Sequence, residues 1–305
     1  MIDPRAAERA IHDLTKLLEQ EGFESIEEAN DFLAQIVRDG VTPAFQPETP
    51  LEQAQEVMYQ AWGETNPRKR VRLAKKALKI SPDCADAYVL LAEDTAKSAA
   101  QARDIYQQGV EAGERALGPD SFKEHKGDFW GMIESRPYMR ALFGLAECEW
   151  QLGERQHAVE LYRRALELNP GDNQGVRYQL LAALIALKDT NGARILLRRY
   201  QDDYAASWAY GRALVTFLEK GNTRHSRELL QEAVNRNVYF ASYLVGAMPL
   251  PEELPQFVEP GTESEGVSCF IEQGAVWMEH PEVIPWIAQT IASMGPPPLA
   301  DNARW

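Results

Sequence analysis

The stretch MRALFGLAECEWQLGERQHAVELYRRALELNPGD, residues 139–172, decides the fold. Its first half places small and apolar residues at helical spacing and ends at Gly153. Its second half places Ala158 and Tyr162 on one face and ends at Pro170. Two amphipathic helices joined by a glycine turn and closed by proline predict a helical hairpin, in which small alanines allow the helices to approach closely. Such a hairpin cannot bury its apolar face alone, so we expect neighbours of the same kind.

The same pattern of about 34 residues recurs on both sides of this hairpin. Two further units, beginning at residues 51 and 85, precede it, and two weaker units, 174–206 and 207–240, follow it. The pattern resembles the tetratricopeptide repeat, with Leu142 in place of the usual large aromatic residue early in the first helix. Five units exceed the roughly three that such arrays need for stability. The sequence therefore predicts an all-α, tetratricopeptide-like α-solenoid of helical hairpins with an N-terminal helical hairpin and a C-terminal helical cap.

The two ends of the chain do not fit the repeat. Residues 1–39 predict a separate helical hairpin, and the proline-rich linker 40–50 joins it to the repeat array at 51–240. Residues 241–305 predict a C-terminal capping segment. We interpret the N-terminal hairpin as a cap or as a small mobile module. The apolar stripe of its first helix consists of Ala7, Ile11, Leu14, Leu17 and Leu18.

An insertion at about 118–137 interrupts the array between the second and third units. It combines glycine and proline with Phe122, Phe129 and Trp130, and disordered segments seldom carry so many aromatic residues. We favour a packed loop whose aromatic side chains cover the junction between the units. The alternative is a loop that binds a partner, because functional residues concentrate on such insertions.

Composition and charge exclude several classes of function. The net charge of -14 argues against binding nucleic acid phosphates or anionic lipid. Three scattered cysteines without a CxxC pair indicate a reducing compartment. The N-terminus lacks the pattern of a signal peptide, and no apolar run reaches the ~18 residues of a membrane helix. We therefore expect a cytoplasmic protein that binds neither nucleic acid nor membrane, of undetermined oligomeric state.

The sequence contains no recognisable catalytic arrangement. The five histidines are isolated, without the spacing of a metal site, and phosphate-binding glycine motifs and nucleophile elbows are missing. The abundant Asp and Glu residues recur on helices as solvated faces or as partners of Lys and Arg. We expect no catalytic, cofactor-binding or metal site, and therefore no enzyme.

Binding in a tetratricopeptide array is expected along the concave groove, which the first helix of each unit lines. The N-terminal side of this groove combines acidic and aromatic residues, which favours a basic or aromatic peptide or protein segment over an acidic one. The sequence thus predicts a non-catalytic interaction scaffold. The alternative is a regulatory or accessory subunit of an enzyme that binds a small ligand through the insertion and cap. The predicted protein-binding residues are Tyr59, Trp62, Glu93, Arg140, Phe143, Glu147 and Trp150.

The C-terminal side of the groove is apolar, and we expect residues 244–286 to fold back over it. An exposed patch formed by Tyr178, Ile185, Trp208 and Leu218 would exceed what a monomer usually leaves open. Prolines at 249, 251 and 255 favour an extended covering segment. The rival interpretation is an open surface that binds a partner or forms a dimer.

Two blocks of sequence carry a closer resemblance. Residues 81–93, SPDCADAYVLLAE, form the first block, and residues 235–244, followed by Pro-Leu-Pro at 249–251 and a helix ending in Trp277, form the second. They resemble the suppressor of tumorigenicity 7 family and its soluble bacterial relatives, over about 51–291. Eukaryotic members carry membrane helices, which this sequence does not show, so the resemblance implies a soluble bacterial-type interaction protein. It implies no catalytic residues.

Overall fold

The computed structural model describes residues 4–39 and 45–294. Within these ranges the chain forms fifteen α-helices and two short 3₁₀ helices, without β-strands. Antiparallel hairpins of helices follow one another along the chain, so the predicted all-α, tetratricopeptide-like α-solenoid is confirmed. The chain divides into two compact units, residues 1–173 and 174–305.

The first unit contains two N-terminal helices, α1 and α2, and three repeat hairpins. A 3₁₀ helix, Pro4–Ala7, precedes the first α-helix, and a second, Ile133–Ser135, precedes α7. Helices α3 and α4, α5 and α6, and α7 and α8 pair as the three repeats. The helices are α1 (Glu8–Glu21), α2 (Ile26–Asp39), α3 (Pro50–Gly63), α4 (Pro67–Ile80), α5 (Ala85–Thr95), α6 (Ala99–Glu124), α7 (Arg136–Leu152) and α8 (Arg155–Leu168).

The second unit contains two repeat hairpins and three further helices. Helices α9 and α10, and α11 and α12, pair as repeats; the later helices pack against them. The helices are α9 (Val176–Ala186), α10 (Thr190–Arg199), α11 (Ala206–Lys220), α12 (Arg224–Arg236), α13 (Val238–Leu244), α14 (Glu263–Met278) and α15 (Val283–Met294).

Local sequence signals fix where the repeat helices begin and end. Thr49 caps α3 by accepting a hydrogen bond from the Glu52 N–H, and the Glu52 carboxylate accepts from the Thr49 N–H in return. Between α7 and α8, Gly153 adopts φ +88°, a left-handed conformation that glycine takes without steric cost. The central hairpin therefore turns where its sequence predicts.

Small residues allow the helices of the first unit to pack closely. Ala74, Ala77 and Ala158 are fully buried. On α6, a Cβ atom built at Gly113 would lie 2.8 Å from the Tyr138 Cβ and 3.2 Å from its Cα, closer than side chains tolerate. The contact between α6 and α7 therefore requires glycine at this position.

The insertion at 118–137 packs against the neighbouring hairpin. Helix α6 kinks at Gly118, whose φ is +70°, and continues to Glu124, after which a loop and the 3₁₀ helix Ile133–Ser135 lead to α7. Phe129 is fully buried, with its ring centroid 5.0 Å from that of Phe122, and Trp130 is half-buried. The Gly127 and Phe129 N–H groups each donate to the Leu168 carbonyl at 3.1 Å. This geometry is that of a packed loop.

The structure refines the expected domain boundaries. Residues 40–44 of the predicted linker and 295–305 of the predicted cap lie outside the described residues. The expected end of the array at residue 240 falls inside α13, because Asn237 caps this helix directly after α12 ends. The wider division of the chain into hairpin, linker, array and cap remains a prediction.

We predict that Gly113→Ala lowers the free energy of unfolding by about 1–3 kcal/mol, because α6 and α7 must separate to admit the methyl group. Gly63→Ala is the matched control, since nothing lies within 4 Å of a Cβ at this helical position. Alanine should there leave stability unchanged or raise it by up to about 1 kcal/mol. Chemical denaturation measures both variants. Equal stability of the two would contradict the close packing.

Candidate functional site

The start of the chain contributes a segment that packs against the repeats of the first unit. The 3₁₀ helix at Pro4–Ala7 and helix α1 both contact α3, and α1 also contacts the turn Ile133–Ser135. We call residues 4–21 the N-terminal segment. We call the surface formed by α3, α5 and α7, the first helices of the three repeats, the helix-A face.

Arg5 of the N-terminal segment lies over the helix-A face in a pocket made by an aromatic ring and a carboxylate. Its guanidinium carbon is 3.7 Å from the centroid of the fully buried Trp62 ring. Its two terminal nitrogens donate to the two Glu93 carboxylate oxygens at 2.9 and 2.8 Å. Stacking combined with a bidentate ion pair recognises the planar geometry of arginine in a way that lysine cannot match.

Glu8 extends a buried charge network in the helix-A face. Arg140 on α7 donates from Nε and Nη2 to the two Asp86 carboxylate oxygens on α5, at 2.9 and 2.8 Å. Its Nη1 donates to Glu8 at 2.9 Å, and Arg136 donates to Glu8 at 3.4 Å. Gln55 on α3 donates to Asp86 at 2.9 Å. The network therefore joins the N-terminal segment to all three helices of the face.

The electrostatic consequence of this network is clearest at Arg140. Burial by itself would lower the pKa of this guanidinium, but Asp86 and Glu8 outweigh that effect and raise the pKa. Asp86 is fully buried, and these partners supply its hydrogen bonds. Burial, with the charges of Asp86 and Glu8, also raises the pKa of the Tyr59 hydroxyl.

Further contacts continue along the same face of α1. Arg9 pairs with Glu56 at 2.8 Å. His12 is buried, with ring centroids 5.5 Å from Tyr59 and 5.4 Å from Phe45. Lys16 pairs with Glu134 at 2.6 Å. Contacts at positions 5, 8, 9, 12 and 16 have the spacing of one helix face.

This contact face differs from the apolar stripe expected in the first helix. Ile11, which the stripe includes, is 50% exposed, whereas His12 and Leu17 are buried. The stripe was wrong at Ile11 because ion pairs on the neighbouring face determine how the helix is rotated. The sequence did contain an indication of the correct face, because the charged residues Arg5, Glu8 and Arg9 are spaced so that they lie on one side of a helix.

The seven predicted protein-binding residues fall into two groups. Tyr59, Trp62, Glu93 and Arg140 contact the N-terminal segment, as described above. Phe143, Glu147 and Trp150 instead contact α8: the Phe143 ring lies 6.2 Å from Tyr162, Tyr162 donates to Glu147, and Arg155 lies 5.2 Å from the Trp150 ring. Burial raises the pKa of Glu147, partly opposed by the Tyr162 hydrogen bond. The second group is half-buried and therefore makes its contacts within its own hairpin.

A cavity of about 220 Å³ lies next to the contacts of the N-terminal segment. His12 and Lys16 form one side, and Glu52 and Tyr59 belong to the α3 side. The insertion and the start of α7 contribute Ile133, Glu134, Pro137 and Tyr138.

In the second unit, helix α14 lies against the first helices of the two repeats, α9 and α11. Glu265 accepts a hydrogen bond from the Ala206 N–H at 2.9 Å, and the Trp277 ring lies 5.9 Å from Tyr210. Of the four residues predicted to need a cover, Ile185 and Trp208 are buried, and Tyr178 and Leu218 are half-buried.

The expectation of an extended, proline-rich covering segment is wrong. Leu254 and Phe257 are 65% and 79% exposed, and Leu250 is also exposed. The residues against α9 and α11 belong to a regular helix instead. Helix α14 also approaches α13 closely, because Gly266 lies where a Cβ would meet the Tyr239 side chain of α13 at 2.5 Å.

Within 4–39 and 45–294, no group of three or more His, Cys, Asp or Glu side chains is placed to hold a metal ion. In the same ranges, the helices are too short or too polar to cross a membrane.

Repeated two-helix hairpins with additional helices at both ends define a tetratricopeptide-like helical-repeat protein. The family described as ST7 protein matches residues 44–219, more than half of the chain. The chain belongs to this family. The match confirms the resemblance found in the sequence, although it ends at residue 219 and not at 291.

Relatives of known name match only in part. Suppressor of tumorigenicity 7 protein-like from Homo sapiens is 30% identical over 156 residues, which are 50% of this chain and 27% of that protein. Suppressor of tumorigenicity 7 protein from Macaca fascicularis is 27% identical over 178 residues, 50% of this chain and 33% of that protein. The match thus spans about a quarter to a third of these relatives.

Among solved structures, YrrB, described as a TPR protein with an unusual peptide-binding site, superimposes with a TM-score of 0.44 at 17% identity. The superposition covers 62% of this chain and 93% of YrrB. A TM-score below 0.5 does not establish a shared fold, so the fold assignment rests on the hairpins themselves.

We predict that Arg140→Met lowers the free energy of unfolding by about 3–5 kcal/mol, because it leaves the buried Asp86 carboxylate without its main partner. Arg72→Met on α4 removes an exposed arginine and is the matched control, with an expected change within about 0.5 kcal/mol. Urea denaturation at neutral pH measures both. A loss below 1 kcal/mol for Arg140→Met would show that water replaces the guanidinium.

A second prediction concerns Glu272 on α14. Burial raises the pKa of this carboxyl, and the charges of Glu265 and Asp203 add to the effect, against hydrogen bonds from Ser268 and Ser207. A carboxyl with a raised pKa in the folded state destabilises that state when ionised. The cost is complete above the folded pKa, shrinks as the pH falls, and is gone below the ordinary value of 4.5.

Glu272→Gln should therefore raise the melting temperature at pH 7, and the difference should vanish as the pH approaches 4.5. Glu279→Gln, at an exposed position directly after α14, is the control and should change little at either pH. Thermal unfolding followed by circular dichroism measures the series. A gain for Glu272→Gln that is the same at every pH would contradict an electrostatic origin.

Proposed function

We propose that the chain is a non-catalytic protein-interaction scaffold that binds a peptide or protein segment along the helix-A face of the first unit. The observation that carries the proposal is that this face already binds a helical segment of the same chain. That segment is held by directed ion pairs and ring contacts at Trp62, Glu93, Arg140 and Tyr59. The same contacts suit a segment of another protein.

The chemistry of the face favours a basic or aromatic partner segment. Glu56 and Glu93 offer carboxylates, and Trp62 offers a ring face for a cation. The net charge of -14 supports a protein partner over nucleic acid or anionic lipid. The buried, free thiols of Cys84, Cys148 and Cys269 support a reducing, cytoplasmic environment.

A second candidate function is that of a regulatory or accessory subunit that binds a small ligand. The cavity of about 220 Å³ beside the N-terminal segment favours it, because residues of the insertion and of the N-terminal hairpin line it together. Lys16, Glu52 and Glu134 give this cavity charges of both signs. A small molecule retained in native mass spectrometry of the purified chain, and lost on Tyr138→Trp, would support this second candidate.

Capture with a mild crosslinker, followed by mass spectrometry, tests the scaffold. The full chain should recover a stoichiometric protein, and Glu93→Lys should reduce its recovery at least about tenfold by placing like charge beside a basic partner. Glu160→Lys, the same change at an exposed position on α8, is the matched control and should leave recovery unchanged. Equal recovery by all three proteins would refute binding on the helix-A face.

A further inference from the structure

We propose that the N-terminal segment is an exchangeable occupant of the helix-A face, and that the partner is a helical protein segment carrying the pattern Arg-x-x-Glu-Arg. This pattern stands at Arg5, Glu8 and Arg9 of the chain itself. The inference rests on the proposed scaffold function and adds what the partner looks like. It also implies that partner binding displaces the N-terminal segment.

Three neighbouring sites on the face distinguish the charges of this pattern. The first, Trp62 with Glu93, holds the Arg5 guanidinium. The second, Arg140 with Arg136, holds the Glu8 carboxylate. The third, Glu56, holds Arg9. A positive, a negative and a positive side chain at i, i+3 and i+4 satisfy all three sites, whereas a uniformly basic segment would meet Arg140 with like charge.

The N-terminal segment is held by several ion pairs and buries few apolar side chains of its own. On α1, only His12 and Leu17 are buried among the described side chains, and Ile11 is half-exposed. The arginine contacts are partly open to solvent: Arg5 retains 22% and Arg9 51% of its side-chain exposure. Partly exposed ion pairs contribute little net free energy each, so a competing segment needs only a modest advantage to replace them.

The face can release the segment without leaving its most deeply buried charge unpaired. When Glu8 departs, Asp86 keeps its bidentate contact with Arg140 and its hydrogen bond from Gln55. The Arg140 atom that loses its partner is Nη1, on the side from which the segment withdraws. The empty face is therefore a stable state of the repeats, and a two-state exchange is possible.

The tether between the segment and the face makes the competition measurable. A covalently attached segment competes at an effective concentration on the order of millimolar. A free segment can bind only those molecules of the chain whose face is open. Its apparent affinity is therefore its intrinsic affinity multiplied by the fraction of molecules with an open face. Weakening the resident segment without touching the face should tighten the binding of a free one.

The test uses a fluorescein-labelled peptide of residues 4–21, PRAAERAIHDLTKLLEQE, and the full chain. The double variant Arg5→Glu, Arg9→Glu places negative charges of the resident segment beside Glu93 and Glu56 and so opens the face. It should bind the peptide at least tenfold more tightly than the unsubstituted chain, as measured by fluorescence anisotropy. Arg38→Glu with Arg72→Glu, at two exposed arginines, gives the same change of net charge and should leave the affinity unchanged. Equal affinities for both double variants would overturn the inference.

Charge reversal gives a second, independent outcome. In an Arg5→Ala, Arg9→Glu background, where the resident segment has no charge at position 5 to pair with a changed residue 93, adding Glu93→Arg should weaken the peptide at least tenfold. A peptide with Glu in place of Arg5 should recover that loss. If the altered peptide binds no better than the original one, Arg5 does not occupy the Trp62–Glu93 site, and the inference fails.

Failure of the inference can be told apart from failure of the scaffold function. If crosslinking recovers a protein in a Glu93-dependent manner but the peptide does not bind any variant, the scaffold stands and the exchange is refuted. If the peptide binds as expected but no Glu93-dependent protein is recovered, the exchange stands and the scaffold function fails. If the Arg5→Glu, Arg9→Glu variant recovers the partner protein less well than the unsubstituted chain does, displacement of the N-terminal segment is refuted.

Discussion

The buried ion pair between Asp86 and Arg140 is the constraint on which the candidate site depends. Asp86 lies in the first turn of α5 and Arg140 lies in α7, so the pair fixes how two successive repeats face each other. Gln55 adds α3 and Glu8 adds the N-terminal segment. A buried pair of this kind contributes little net stability compared with an apolar replacement, but it strongly penalises arrangements that separate it. Its effect is therefore on geometry more than on the total free energy of folding.

The repeats and the N-terminal segment are held by different forces. The hairpins bury alanines, leucines and aromatic rings, and this apolar packing is insensitive to salt. The N-terminal segment relies on ion pairs, of which those of Arg5 and Arg9 are partly open to solvent and screened by salt, whereas the buried Glu8–Arg140 pair is screened much less. High ionic strength should therefore weaken the exposed arginine contacts of the segment more than the apolar packing of the hairpins. The same selectivity makes the contact responsive to a charged partner.

The sequence predicted the hairpins well because their signals are local. Periodic apolar residues, Gly153 and the cap at Thr49 each act within one or two turns of helix. It also placed Tyr59, Trp62, Glu93 and Arg140 together, because repeat register puts them on one face. It did not predict the occupant of that face, since Arg5 and Glu93 are 88 residues apart and no local pattern links them. Similarly, the sequence assigned the cover of α9 and α11 to the proline-rich stretch after residue 248, whereas α14 provides it. Which side chains are buried depends on tertiary packing, which local sequence does not show.

The two units place different kinds of segment against the first helices of their repeats, and the difference bears on which contact exchanges. Helix α14 buries Val267, Cys269, Val276 and Trp277, so removing it would expose large apolar side chains on both sides of the contact. The N-terminal segment buries His12 and Leu17. When it leaves the face, its other contacts are ion pairs that are replaced by contacts with water. Within each unit, the cost of opening follows from the apolar area that is lost. The apolar contact is consequently a permanent part of its unit, whereas the ionic one has the energetics of a replaceable ligand.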